Sequence, residues 1–267
     1  MSQQTRVGVG GWTFEPWRGV FYPEGLKQKD ELAYASRHLT AIEINGTFYS
    51  SFRPESWRAW RDATPDGFVF TVKGGRFCTN RKQLASAEES VSRFFRQGIV
   101  ELGERLGPIL WQLPHYKRFD PNDLDAFLSL LPRSVEGRPI RHALEPRHAS
   151  FSTPEYVQLL RAHGVANVYA RHHRYPEIAD ITADFVYARL QTGSDDEPEA
   201  YPAGELDDWA ARLGTWARGS APAGLPTVAE PAEPAPRDVF AFIIHDGKIR
   251  APAGAMALIK RLAQAES

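Results

Sequence analysis

Five apolar runs spread along the chain each close on a polar or charged side chain. They are Ala41-Ile42-Glu43-Ile44-Asn45, Phe68-Val69-Phe70-Thr71-Val72-Lys73, Ile109-Leu110-Trp111-Gln112, His142-Ala143-Leu144-Glu145 and Phe185-Val186-Tyr187-Ala188-Arg189. A buried strand gains nothing by ending on a charge, because desolvating that charge is costly. The pattern makes sense when the strand ends open into one shared mouth. Helical spacing fills the stretches between the runs, as with Val91, Phe94, Phe95 and Leu102. Alternating strands and helices call for a parallel sheet. Eight such units call for closure into a (β/α)8 TIM-like barrel, whose working groups sit at the C-terminal ends of its strands.

The eight strands are predicted over 6–10, 41–45, 68–73, 109–113, 142–145, 166–170, 185–190 and 239–244. Helices are predicted over 30–38, 54–63, 86–103, 122–131, 154–163, 206–217 and 253–263. The stretch between the sixth and seventh strands is short, so its helix is expected to be reduced to a turn or two. Residues 219–236 are rich in Ala and Pro and read as a mobile insert within a single domain spanning 1–267. The chain length of 267 residues suits one barrel of about 250. No Gly-x-Gly-x-x-Gly follows the first strand, where Gly8-Val9-Gly10-Gly11 has the wrong spacing for a nucleotide-binding open sheet. A formal net charge of −1 argues against a coat of basic charge for general nucleic-acid binding, though not against a local basic site. The lone Cys78 excludes an intrachain disulfide framework. The polar opening and the lack of a twenty-residue apolar span lead to the expectation of a cytoplasmic protein without a membrane segment.

Side chains alternate faces along a strand. That parity puts Glu43 with Asn45, Thr71 with Lys73, Leu110 with Gln112 and Tyr187 with Arg189. The outer face must be apolar to meet the helices, so the polar face is lumenal. Glu43, Glu145, Lys73 and Arg189 are therefore the candidate catalytic groups, with Asn45 and Gln112 beside them and His245 just past the last strand. Two carboxylates near two cations can divide the roles of general acid and base. The same set could equally be a structural ion-pair network plugging the barrel. Cations also gather on the loops of that face: Lys73, Arg76, Arg81 and Lys82 around Gly74-Gly75, then Arg147-His148, then Arg171-His172-His173-Arg174. Such a cluster in a nearly neutral chain points to an anionic ligand, approached by glycine backbone N–H groups. The acidic loop 194–199 lies on the same side and opposes this. Trp12, Trp17, Phe21, Tyr22, Phe48 and Tyr49 crowd the first two loops, where they either stack on a ligand or pack among themselves. Trp57, Trp60 and Trp111 are expected under the helices. The ligand-contact set is then Trp12, Asn45, Tyr49, Arg76, Gln112, Arg147, His148 and His245. No cofactor motif is present, and no His-x-His or His-Glu-x-x-His spacing. A hard divalent ion held by Glu43, Glu145 and His148 is a minor alternative.

Several of these segments form a recognisable series: Gly10-Gly11-Trp12, Phe21-Tyr22-Pro23, Glu43-Ile44-Asn45-Gly46-Thr47-Phe48-Tyr49, Pro65 to Lys73, Leu106-Gly107-Pro108, Gln112-Leu113-Pro114 and Glu145-Pro146-Arg147-His148. In this order they resemble the YecE-like family of TIM-barrel proteins, a domain of unknown function. The resemblance spans nearly the whole chain and implies a barrel with a polar pocket built from these motifs. It implies no reaction. Where relatives read Arg-x-His-Gly after the seventh strand, this chain reads Arg189-Leu190-Gln191-Thr192-Gly193, and an Asn-rich end of the eighth strand is replaced by His245-Asp246. A proton-transfer role for that His would not pass to Gln191. Three readings are carried forward. The first is an enzyme performing acid–base chemistry on a small anionic, phosphorylated or polyol-like ligand. The second is a nucleic-acid-binding or processing protein. The third is a non-catalytic metabolite sensor. The sequence does not fix an oligomeric state.

Overall fold

The computed structural model describes residues 4–265. Strands β1 (Thr5–Gly10), β2 (Ala41–Ile44), β3 (Val69–Lys73), β4 (Leu106–Gln112), β7 (His142–Glu145), β8 (Ala166–Arg171), β9 (Phe185–Thr192) and β10 (Asp238–Asp246) pair in parallel and close on themselves. The two short strands β5 (Ser134–Val135) and β6 (Arg138–Pro139) form a separate hairpin. Closure is complete because β10 pairs with β1 from Thr5↔Val239 to Val9↔Ile243, leaving the barrel no free edge. Around it lie α1 (Glu31–His38), α2 (Pro54–Asp62), α3 (Arg76–Thr79), α4 (Glu88–Arg96), α5 (Pro121–Ser129), α6 (Pro154–His163), α7 (Ala203–Ala217) and α8 (Ala251–Ala265). The expected (β/α)8 architecture is the observed one.

The strand parity splits the buried residues into two cores. Ile42, Ile44, Phe70, Val72, Ile109, Trp111 and Leu144 face the helices. Ala41, Val69, Leu110, Ala143, Val168, Tyr187, Phe240 and Phe242 fill the lumen. The lumen is thus packed at its base, and the polar residues lie two or four positions further along the same strands, at the mouth. Trp57 and Trp111 are fully buried under the helices, as expected, and Trp60 is partly buried against them.

Three expectations are corrected. The predicted helix over 86–103 is broken: α4 ends at Arg96, Gly98 adopts φ +90°, and 3-10 turns continue over Ile99–Arg105. Only glycine takes that left-handed backbone cheaply, so Gly98 ends the helix although the apolar spacing runs on through it. No helix, reduced or otherwise, joins β8 to β9 among the described residues. Asn167 Nδ2 instead bonds the Ile178 carbonyl at 2.6 Å, and Thr182 Oγ1 accepts from Asn167 N at 2.6 Å, tacking the connection onto β8. The Ala- and Pro-rich segment 219–236 covers the place a helix would occupy. Its Val228 and Ala229 N–H groups donate to Asp180, and Arg237 donates to the carbonyls of Gly219, Glu233 and Ala235. The third correction concerns Gly74. A Cβ there would meet the Trp111 ring at 2.3 Å, and the Gly74 N–H is spent on the Leu110 carbonyl at 2.8 Å. That glycine makes room for a tryptophan and offers no N–H to a ligand.

Candidate active site

Arg189 is the hub of the barrel mouth. Its Nε and Nη2 donate to Glu43 at 3.1 and 2.9 Å, and its Nη1 donates to Glu145. The Glu43 carboxylate also accepts from Tyr187 OH at 2.7 Å, which is itself 2.8 Å from Thr71 Oγ1. Glu145 accepts from Gln112 Nε2 at 3.0 Å on both oxygens and from Arg147 Nε at 2.7 Å. Both carboxylates have no solvent exposure, and Arg189 retains 4%. The strand registers place these groups: Glu43 lies beside Thr71, and Gln112 beside Glu145. Glu43, Glu145, Lys73 and Arg189, chosen by parity from sequence-distant strands, do converge.

Their electrostatics separate their roles. Burial alone would raise the Glu145 carboxyl, but the charges of Arg189, Arg147 and Lys73 outweigh it and bring the group from 4.5 down to about 2. Burial would lower the Arg189 guanidinium, yet Glu145 and Glu43 hold it above its ordinary value. Glu145 is therefore a fixed anion near neutral pH and does not fit the expected proton-donor role. Lys73 is the opposite case. Burial, then the nearby Arg189 charge, bring its ammonium from 10.5 down to about 8. Its Nζ stands 4.4 Å from the Phe48 ring centroid and has no hydrogen-bond or ion-pair partner among the described residues. In this cluster three cations, Lys73, Arg147 and Arg189, meet two carboxylates, which leaves one net positive charge.

Above the cluster opens a cavity of about 520 Å³, lined by Gly10, Trp17, Asn45, Tyr49, Lys73, Gln112, Arg147, Arg189, Gln191, Ile243, Ile244, His245, Lys248 and Ala251. No carboxylate of the described residues lines it. Glu43 and Glu145 lie below its floor. The acidic loop is turned away: Asp195 accepts from the Ile249 and Arg250 N–H groups, and Glu199 faces Arg261 at 3.5 Å.

Of the expected ligand contacts, Asn45, Tyr49, Gln112, Arg147 and His245 line the cavity. Trp12, Arg76 and His148 do not. Trp12 packs edge-on against Trp60 at 5.1 Å, Arg76 lies over Phe77 outside the cavity, and His148 bonds Ser150 and caps its turn. Of the first-loop aromatics, Phe21 and Tyr22 are buried packing residues, and Trp17 is buried but lines the cavity. His245 takes φ +75° at a register irregularity near the end of β10, which turns it to the exposed rim beside Asp246. Glu43, Glu145 and His148 are not gathered as ligands, because Arg189 bonds both carboxylates. Among the described residues no cluster of His, Cys, Asp or Glu is placed to hold a metal.

Three polar or aromatic lining residues lie outside the expected catalytic and ligand-contact sets. Trp17 is fixed by Nε1 donating to the Lys248 carbonyl at 2.8 Å. Lys248, lowered by burial, lies over Phe14 at 4.0 Å. Gln191 is 1% exposed, and its buried Nε2 has no hydrogen-bond partner among the described residues. Parity could have found Gln191, which is two residues beyond Arg189. Trp17 belongs to the first-loop aromatics already marked in the sequence, whereas nothing local marks Lys248, which the barrel closure brings beside it.

A family model described as "Protein of unknown function DUF72" matches residues 6–267. The chain belongs to the DUF72 family. Among curated relatives, the UPF0759 protein YecE of Escherichia coli K12 is 28% identical over 148 residues, which is 54% of this chain and 49% of YecE. The UPF0759 protein YunF of Bacillus subtilis is 28% identical over 161 residues, 58% of this chain and 55% of YunF. The matches thus span about half the length of these relatives. A DUF72 protein structure from Thermotoga maritima superposes with a TM-score of 0.70 at 23% identity, covering 99% of this chain and 100% of that one. This DUF72 member shares that fold. No helix among the described residues is long and apolar enough to cross a membrane.

Proposed function

We propose that this DUF72 protein is an enzyme that takes a small anionic, polyol-like substrate at the C-terminal mouth of the barrel and transfers a proton to or from it through Lys73. The observation that carries the reading is Lys73, a largely buried side chain whose ammonium faces the cavity without a hydrogen-bond partner among the described residues. A buried cation is ordinarily paired, because leaving it bare is costly. An anionic group of the substrate supplies the missing partner. Arg147 and Lys248 border the same space and suit the charge of an anionic substrate, and the Gln191 amide lines it as well. A lysine that titrates near 8 has both protonation states within reach of neutral pH, as general acid–base catalysis requires. Glu43, Glu145 and Arg189 then act as the fixed frame that sets the lysine's position and field, and they do not exchange protons with the substrate. This revises the division of labour that the two carboxylates suggested in the sequence.

The test begins with thermal-shift titrations using inorganic phosphate and small phosphorylated sugars, because a ligand that binds the folded state raises its melting temperature. Each hit is then assayed for turnover. Lys73→Met should remove turnover and most of the phosphate-induced shift, and Lys73→Arg should retain the shift without the turnover. Turnover that survives Lys73→Met would reject the role. A thermal shift with no turnover for any hit would leave a binding protein and no enzyme.

A further inference from the structure

The cavity over Lys73 has a neighbour. A groove of about 430 Å³ runs beside it, between the turn after β2 and the helices α3 and α4. Tyr49 is a wall of both spaces, so they adjoin across one side chain. Both volumes fall in the range of roughly 300–1,000 Å³ typical of small-ligand sites.

The rim around the groove is unusual in what it exposes. The large apolar side chains left exposed are Val20 (53%), Tyr49 (66%), Phe77 (56%) and Tyr116 (61%). They sit on the segments following β1, β2, β3 and β4, which are consecutive neighbours around the barrel. Exposed large apolar surface, three of its four side chains aromatic, gathered on one arc of a rim marks a contact region. The arc is also cationic. The Arg76 and Arg93 guanidiniums lie 5.2 and 5.9 Å from the Phe77 ring centroid, and neither has an ion-pair partner among the described residues. No carboxylate of the described residues lines the groove.

We infer that the groove bounded by Tyr49, Phe77 and Arg93 receives a nucleobase whose attached phosphate is held over Lys73 and Arg147, so that the substrate class is a nucleotide. The inference rests on the reading of the larger cavity as an anion site. A planar base stacks on phenyl, phenol and guanidinium faces alike, and its ring acceptors take hydrogen bonds from arginine. A purely apolar partner would leave Arg76 and Arg93 without a counterpart. Tyr49, exposed between the two adjoining spaces, is the side chain such a ligand would lie across, with its charge inward and its ring outward.

The experiment is calorimetric titration with four probes: inorganic phosphate, ribose 5-phosphate, 5′-adenosine monophosphate and a short single-stranded oligodeoxynucleotide. Stacking on aromatic side chains predicts that adenosine monophosphate binds about 5- to 150-fold tighter than ribose 5-phosphate. Phe77→Ala should erase that gain and leave the affinity for inorganic phosphate unchanged. Phe77 is more than half exposed, so its truncation leaves the core untouched. A gain shown by adenosine monophosphate, with or without the oligonucleotide, assigns a free nucleotide, and a gain shown by the oligonucleotide alone assigns a base within a strand. Phosphate binding with no gain for any base-bearing probe overturns the nucleobase site while leaving the anion site standing. A Phe77→Ala loss equal for phosphate and nucleotide also overturns it. Absence of phosphate binding refutes the anion site, and the nucleotide inference falls with it.

Discussion

Arg189→Met tests the frame at the barrel mouth most directly. Methionine fills much of the volume but carries no charge, so Glu43 and Glu145, both without solvent exposure, lose the counter-ion they share. Removing one partner of a buried charge network costs about 3–5 kcal/mol. The protonation equilibrium of Glu145 gives an independent figure. Its fall from 4.5 to about 2 corresponds to about 3 kcal/mol of favourable interaction with its surroundings, Arg189 being the foremost of the charges that lower it. A loss of that size is a large part of the 5–15 kcal/mol that holds a domain folded. The pH dependence fixes the sign. In the native protein the folded-state carboxyl is depressed, so its contribution is complete above about 4.5 and is lost as pH falls through about 2. Without Arg189 burial weighs more heavily on the Glu145 carboxyl, which rises in the folded state, so the variant gains stability as pH drops from 7 towards 4. The gap between the two proteins should therefore narrow over that interval. Urea denaturation followed by tryptophan fluorescence, at pH 7, 5.5 and 4.5, measures it; the chain's seven tryptophans supply the signal. Neutralising all three groups, in Glu43→Gln, Glu145→Gln, Arg189→Met, should restore much of the loss. A gap below about 1 kcal/mol at pH 7, or one that does not change with pH, would mean that the ion pairs are screened by solvent and do not form a buried frame.

Lys73→Met should stabilise the protein while removing phosphate binding. The fall of its ammonium to about 8 marks a charged form that folding disfavours by about 3 kcal/mol, and native stability should rise as pH climbs from about 8 towards 10.5; a variant less stable than wild type at pH 7 would contradict this. His142 accepts from Trp111 Nε1 at 3.1 Å and contacts the Pro132 carbonyl at 2.8 Å through its other nitrogen, and burial lowers it to about 4. Its contribution is present above about 6.5 and lost as pH falls towards 4. Proton resonances of its ring should show no titration between pH 5 and 8, and His142→Phe should cost about 1–3 kcal/mol by leaving the Trp111 N–H unpaired. Gly74→Ala should cost about 1–3 kcal/mol in denaturant titrations, because its methyl group would overlap the Trp111 ring; an unaffected midpoint would show that the ring moves freely.

The barrel was legible in the sequence because its signal is local and repeated. Two-residue alternation sorts Ile42 and Ile44 from Glu43, and Leu110 from Trp111, before any strand meets another, and β7 and α6 fall on their predicted bounds. Backbone exceptions were harder to read. Gly98 breaks a helix whose apolar spacing continues through it, and the cover over β8 and β9 comes from residues 219–236, far along the chain. The mouth was legible as a set of charges but not as a set of functions. Local sequence cannot say that Glu145 meets Arg189, Arg147 and Gln112 at once, while Lys73 meets no hydrogen-bond acceptor.

Chemical character at the strand ends therefore belonged to the sequence: alternation decides which side chains point inward, and composition decides that those at the top are charged. Which of these charges is neutralised and which is left bare belonged to the tertiary structure. Ion pairing and desolvation depend on distances between β2, β3, β4, β7 and β9 that exist only once the sheet has closed. The same closure set Trp17, Gln191 and Lys248 around one cavity and turned the acidic loop away from it, since spatial neighbourhood across a barrel follows strand order around the ring and not separation along the chain.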